Sequence, residues 1–337
     1  MTPASPTLNE SSQSAPPLIF GIYPGSTAGL ELDGKVIAGP PDQPEQINAA
    51  LAQLQPRGRP FMVRGYAHYV GRQTLLLETP SDMAQYAVDG RQLDLVLCYR
   101  TPDGDLDDWA ELVRATVRRY GPALTKLQIT EEPNNPDAAT SGDGSFPNVQ
   151  RAIVAGVLAA KAAARERGLS LQVGFNATPS LTTDFWTQLA AVSDAAFVAA
   201  LDYVGFDFFP DVFRPLPRAA DGGPMPLEAA VAGVLTNFRR VCLAAAHIPA
   251  AVPIHITEHG WPTDPQRSYQ RQAEVLETVV RTIDAHRAAL NITHYELFNL
   301  RDAESASSAF QFGLLRDDYT PKPAFERYRR LIAELGS

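Results

Sequence analysis

Positive charge is in short supply in this chain: 29 Lys and Arg stand against 38 Asp and Glu, a net charge of -9 over 337 residues. Nucleic acid and anionic membrane surfaces are therefore not expected partners. Cysteine is scarcer still, with Cys98 in an apolar strand-like segment and Cys242 in a helix-like one. Both read as buried free thiols rather than as a disulfide, and cytoplasmic residence is the expectation that follows. No long apolar run occurs, since the stretch from Ala152 to Ala160 stops at Lys161, well short of the roughly 18 residues a membrane span needs. Neither G-x-G-x-x-G nor G-x-x-x-x-G-K-[ST] is present, which removes the phosphate-cradling turn that a doubly wound open sheet would want. There is no G-x-S-x-G for a serine nucleophile, and none of the six histidines sits in an H-E-x-x-H motif. Neither a metal nor an organic cofactor is expected.

What is present suits a water-soluble globular enzyme, with 45% hydrophobic and 20% charged residues. Met1 to Pro17 is rich in Ser, Pro, Thr and Asn and carries no basic region followed by an apolar one. It is expected to be a disordered tail rather than a signal peptide, although a chain whose export signal had been removed would look the same.

From Leu18 to Leu335 strand and helix signals alternate. Strands are expected at 18–24, 61–66, 93–100, 126–130, 171–176, 202–210, 254–258 and 294–300, from β-branched and aromatic alternation bounded by Gly or Pro. Helices are expected between them, at 45–55, 81–90, 106–120, 149–167, 185–200, 227–246 and 268–290, with a last one at 323–335. No composition break separates the units, so residues 18–337 are expected to form one closed, single-domain (β/α)8 TIM barrel.

In such a barrel the chemistry lies where strands run out into loops at their C-terminal ends. Two strands end in carboxylates. Leu127-Gln128-Ile129-Thr130 runs into Glu131-Glu132-Pro133-Asn134, and Ile254-His255-Ile256-Thr257 runs into Glu258-His259-Gly260-Trp261-Pro262. A carboxylate pair suggests glycosidic bond chemistry. Arg64 closes an otherwise apolar strand and is a further site candidate, while His255 and Glu296, within strands, are expected to point outward or to be paired.

Taken together, Arg64, Glu131 to Asn134, Thr257 to Pro262 and Tyr295 to Asp302, each on the appropriate strand end and in the appropriate order, resemble the clan A glycoside hydrolases. Phe312 to Asp317 and Pro321 to Phe325 resemble the closing segments of such chains. The resemblance spans the whole barrel and implies a retaining O-glycosidase acting on a carbohydrate, an oligosaccharide or small glycoside, by double displacement. It implies Glu132 as general acid/base, with Glu131 as the fallback, and Glu258 as nucleophile, its ionised form held by Arg64. Further candidates near the sugar are Arg64, Glu131, Trp261, Phe298 and Asn299, together with Asn176, Tyr203 and Asp207, which fall near expected strand exits. Two positions depart from the clan pattern: Glu131 stands where an Asn precedes the acid/base, and Phe298 and Asn299 stand where a Trp platform is common. A transglycosylase on the same site, or a non-catalytic sugar-binding barrel, fits the same residues.

Overall fold

The computed structural model describes residues 16–26, 31–32, 35–36, 39–71, 77–137, 142–219, 222–306 and 311–337. The first fifteen residues of the expected tail, like parts of the loops expected at 134–148 and 211–226, lie outside the described residues.

Eight parallel strands close on themselves: β1 (Ile19–Ile22), β2 (Phe61–Tyr69), β3 (Arg91–Tyr99), β4 (Leu124–Ile129), β5 (Gln172–Phe175), β6 (Tyr203–Asp207), β7 (Ile254–His259) and β8 (Ile292–Leu297). Each pairs with its sequence neighbours, and β1 pairs with both β2 and β8, which completes the circle. The short strand Leu77–Thr79 adds to β2 in antiparallel fashion. The expected (β/α)8 barrel is thus the observed fold.

The helices form because their apolar residues recur on one face, which packs on the outside of the barrel. In Leu106–Tyr120, Trp109, Val113, Thr116 and Val117 are the buried set, the i, i+4, i+7, i+8 pattern of one helical stripe. Asp105 caps this helix by accepting from the amides of Asp107 and Asp108. Trp109 is fully buried, and its indole donates to the Ala152 carbonyl at 2.9 Å, tying this helix to Val149–Glu166.

Three expected helices come out differently. At 81–90 there is only a 3-10 turn, Met83–Tyr86, with left-handed Asp82 and Asp89 bracketing it. The 185–200 stretch divides into Asp184–Val192 and Ala195–Ala200, because Asp194 leaves helical geometry to cap the second piece through the Phe197 amide. The 227–246 stretch is α-helical over Leu227–Asn237 and passes through a π-turn at Phe238–Cys242. Both cysteines are free and buried.

The main core lies between strands and helices. The barrel interior is, by contrast, largely polar. Residues of one parity from each strand point inward, and Arg64, Asp94, Lys126, Gln128, Asn176, Asp207, His255, His294 and Glu296 are all buried. Gly205 makes room for this filling, since a Cβ there would stand 2.6 Å from the Thr257 hydroxyl and 2.8 Å from Asn176 Cβ. Tyr23, Tyr66, Val96, Cys98, Phe298 and Phe312 form a separate apolar cluster.

Candidate active site

Period-two alternation places Arg64 and Tyr66 on the same inward face of β2. Arg64 is buried and fully directed: Nη1 donates to Asp94 on β3 at 2.7 Å, Nη2 to Gln128 on β4 at 2.9 Å, and Nε to the Tyr66 hydroxyl at 2.9 Å. Tyr66 in turn donates to Glu258 Oε1 at the end of β7. Arg64 Nε lies 3.6 Å from the same Glu258 oxygen, and Nη2 lies 3.6 Å from Glu131 Oε2. Glu258 is therefore held by a cation and by a hydroxyl that the same cation orients. A register shift between Ile256 and Glu258 against β6 turns the strand end, so that Thr257 and Glu258 both reach the interior. Thr257 donates to Asp207.

The other carboxylates come from the turn after β4, which is strained. Thr130 has φ +67° and Glu132 has φ +40°, a region costing about 1–3 kcal/mol for such residues. Neighbouring groups hold the turn in place. The buried Asp143 carboxylate accepts from the amides of Glu131 and Tyr99 at 2.7 and 2.6 Å. Asp143 N donates to the Glu131 carbonyl at 2.9 Å, and Glu132 N donates to Asn176 Oδ1 at 2.8 Å. Because alternation is broken here, consecutive residues Glu131 and Glu132 face one space. Oxygens of Glu131, Glu132 and Asp207 all lie within 4.8 Å of one another. These carboxyls receive N–H and O–H donors from Gln128, Asn135, Asn176 and Thr257. The trio is thus a hydrogen-bonded carboxyl cluster. His255 and His259 share an i, i+4 spacing, which pairs ligands along a helix but not along a strand. His255 instead stacks on Tyr203 and His294, and His259 bonds the Tyr295 hydroxyl at 2.5 Å.

Burial and mutual repulsion leave these acids reluctant to ionise. Burial, then the Asp207 charge, push Glu258 up to about 7 against the pull of Arg64 and Tyr66. Burial, Asp207 and Glu258 raise Glu132 well above the ordinary carboxylate range, and Asn135 lowers it. Glu131 is raised well above that range by burial, Glu258 and Asp207. Both acids are therefore raised by burial and by the other charges of the cluster; acid-assisted displacement requires that Glu132 hold its proton while Glu258 is ionised.

Of the residues expected near the sugar, Arg64, Glu131, Asn176 and Asp207 converge with Glu132 and Glu258. Tyr203 does not: it lies deeper, stacked on His255 with the Lys126 ammonium 4.8 Å from its ring centre. Trp261 packs in the main core under Arg267 rather than presenting a face. Asn299 ties down the loop after β1 through the Gly25 and Ser26 carbonyls at 3.3 and 3.0 Å. Phe298 stacks on Tyr23 at 5.5 Å, and Tyr23 meets Tyr66 edge-on at 5.1 Å, so Phe298 belongs to the wall beside Glu258. His255 and Glu296 point inward: Lys126 donates to Glu296 at 2.5 Å and to Asp94 at 3.1 Å.

Sequence reasoning missed Tyr66, Asp94, Gln128, Asn135, Thr257 and Asp143. Tyr66, Asp94 and Gln128 could have been found by following the strand parity of Arg64; nothing local to Asp143 marks it, because it acts across the loop.

The fold and the acidic cluster at the C-terminal ends of its strands define the class, an α/β barrel with a carboxyl-rich mouth. No family model matches the chain, and no curated protein matches it. Among solved structures, a beta-glucosidase from Thermotoga maritima in complex with deoxynojirimycin is similar at 12% identity and a TM-score of 0.59, covering 96% of this chain and 99% of that one. The same description in complex with azafagomine gives 12% and 0.61 over 96% and 99%. The GH1 beta-glucosidase from Exiguobacterium antarcticum B7 gives 13% and 0.61, over 95% and 98%. At such identities the likeness establishes the shared barrel fold.

Proposed function

We propose that the chain is a retaining glycoside hydrolase of the clan A type, acting on an O-glycosidic bond of an oligosaccharide or small glycoside. The observation that carries this reading is the burial of Glu132 beside Glu131 and Asp207, where the Glu258 charge acts on it, with Arg64 and Tyr66 both directed at Glu258. Beta-glucosidases with the same fold, bound to deoxynojirimycin or azafagomine, add support.

In the first step Glu258, ionised, attacks the anomeric carbon while Glu132 donates its proton to the departing oxygen. The glycosidic C–O bond breaks and a C–O bond to Glu258 forms. In the second step Glu132, now a carboxylate, takes a proton from water, whose oxygen displaces Glu258 and restores both carboxyls. Arg64 and Tyr66 stabilise the Glu258 carboxylate as free nucleophile and as leaving group. The aromatic series Tyr23, Phe298, Phe209 and Phe213 runs outward from Tyr66 through ring contacts of 5.1 to 6.3 Å to a largely exposed ring. It offers a stacking surface for the sugar or its leaving group.

The test is the stereochemistry of the first-formed product, followed by proton NMR on aryl glycosides. Retention of anomeric configuration is expected. Inversion would replace the double displacement with a single one, and absence of turnover on every glycoside would favour a sugar-binding barrel.

A further inference from the structure

The chain leaves β4 through Glu132-Pro133-Asn134-Asn135, and proline in the second place suits a turn. The turn closes as the Asn135 amide donates to the Glu132 carbonyl at 2.8 Å. That closure returns the Asn135 side chain to Glu132, and its Nδ2 donates to Glu132 Oε2 at 2.8 Å. The direction of the side-chain amide is fixed independently: Oδ1 accepts from the Asp137 amide at 3.1 Å, which leaves the nitrogen to face the acid.

The turn is pinned from two sides. Asn134 exchanges hydrogen bonds with Thr178 after β5, Nδ2 donating to the Thr178 carbonyl at 2.9 Å and Oδ1 accepting from the Thr178 amide at 2.8 Å. The Asn135 carbonyl accepts from Gly144 N at 2.9 Å. A Cβ on residue 144 would stand 2.5 Å from that oxygen, so the loop can close on Asn135 only with glycine there. Among the described residues Asn135 is the only donor to the Glu132 carboxyl, and no cation pairs with it. The charged groups facing Glu132 are Glu131 beside it, Asp143 across the loop, Asp207 on β6 and Glu258 on β7, all of them acids. Arg64 reaches Glu131 and Glu258 instead.

We propose that Asn135 is a positioning residue for the acid/base: its Nδ2–H, donated to Glu132 Oε2, keeps that oxygen as the carbonyl of the protonated acid and leaves Oε1 to carry the proton delivered to the departing oxygen. The inference rests on Glu132 being the acid/base. In a protonated carboxyl one oxygen is the O–H donor and the other is the better acceptor, so a fixed N–H donor selects between them. Once the proton has left, the same N–H stabilises the carboxylate, and Oε1 is free to take a proton from water in the second step. Asn135 is thereby the single group that opposes burial and four neighbouring acids at Glu132.

Asn135→Ala tests this, because it removes the donor without adding charge. Loss of a donor to the carboxylate raises Glu132, so the basic limb of kcat/KM, which needs Glu132 protonated, is expected to move to higher pH. Asn135 is half-buried, so water takes over part of the bond and holds the shift to about one unit. The loss in kcat/KM on the plateau is expected to reach about tenfold on glycosides with poor leaving groups and to stay under about threefold on those with acidic ones. Equal losses on both classes with the basic limb in place would make Asn135 a loop residue only and overturn the proposal. Asn135→Asp keeps the acceptor for the Asp137 amide but presents an oxygen to Glu132, and is expected to move the limb further than Ala does; if the Ala variant does not fold, an unmoved limb in the Asp variant overturns the proposal. Carbon-13 NMR of the free protein labelled at the glutamate carboxyls, with the Glu132 signal assigned through Glu132→Gln, needs no glycoside. An unmoved Glu132 midpoint in Asn135→Ala would overturn the inference whatever the activity. A raised midpoint with an unmoved basic limb would instead overturn Glu132 as the acid, and with it the reading on which the inference rests.

Discussion

Replacing Tyr66 with Phe removes one oxygen from the interior and asks a single question of Glu258. That hydroxyl donates to Glu258 Oε1 and accepts from Arg64 Nε at 2.9 Å. A buried hydrogen bond to a charged group contributes about 1.5–3 kcal/mol, and each pKa unit corresponds to about 1.4 kcal/mol. Loss of the bond should therefore raise Glu258 by about one to two units from its position near 7. Arg64 Nε, 3.6 Å from the same oxygen, can close part of the gap, which favours the lower end. The nucleophile must be ionised, so the acidic limb of kcat/KM moves to higher pH. At a pH two units below the native limb the rate falls by about ten- to a hundredfold, while the plateau changes much less. The assay is a pH–rate profile on an aryl glycoside, with circular dichroism to confirm folding. An acidic limb that stays in place, or moves to lower pH, would refute the role given to the Tyr66–Arg64 pair.

Glu132→Gln should lower kcat/KM by about 10²–10⁴ on substrates with poor leaving groups and much less on aryl glycosides with acidic leaving groups; equal losses on both would argue against an acid role. Lys126→Met leaves Glu296 and Asp94 without the ammonium that both contact and should destabilise the fold by about 3–5 kcal/mol in chemical denaturation. A loss under about 1 kcal/mol would show the interior pair to be expendable. Stability should fall as pH rises from 6.5 to 8. Asp143 and Glu258, raised to about 7, and Glu296, raised to about 8, keep protons in the fold that the unfolded chain has already lost. The buried His68, lowered to about 4, and His259 and His294, lowered to about 3, oppose this fall, mostly below about pH 7, where they cost stability as the unfolded chain takes up protons. A melting temperature lower by about 5 °C or more at pH 8 is expected, and a flat or rising one would contradict the protonated interior.

Strand and helix alternation made the barrel legible, because each helix buries one stripe and each strand ends in Gly, Pro or a charge. The last helix, Pro323–Leu335, matches its expectation to the residue, since Pro at its start and Gly after its end are local signals. Boundaries failed where tertiary context overrode the pattern, as at 81–90. The site divides the same way. Glu132, Glu258 and Arg64 announce themselves by putting charge at the end of apolar runs. Their supports do not: Asp143 captures the Glu131 amide from twelve residues away, and Tyr66 reads as an ordinary strand aromatic. Tyr203 and Trp261 were expected near the sugar because they adjoin strand ends, yet depth along the barrel axis and packing against a helix are not written in strand position. The polar interior was the least legible feature, since Lys126, Glu296 and His255 are inward only by virtue of a parity that a single strand end does not fix.

The central claim is that Glu258 is the nucleophile. Incubation with activated 2-deoxy-2-fluoro glycosides across gluco, galacto, manno, xylo and arabino donors, followed by intact mass and peptide mapping, tests it directly. A single glycosyl adduct on Glu258, absent from Glu258→Gln, is the predicted result. An adduct on any other residue, or undiminished turnover by Glu258→Gln, would contradict the account.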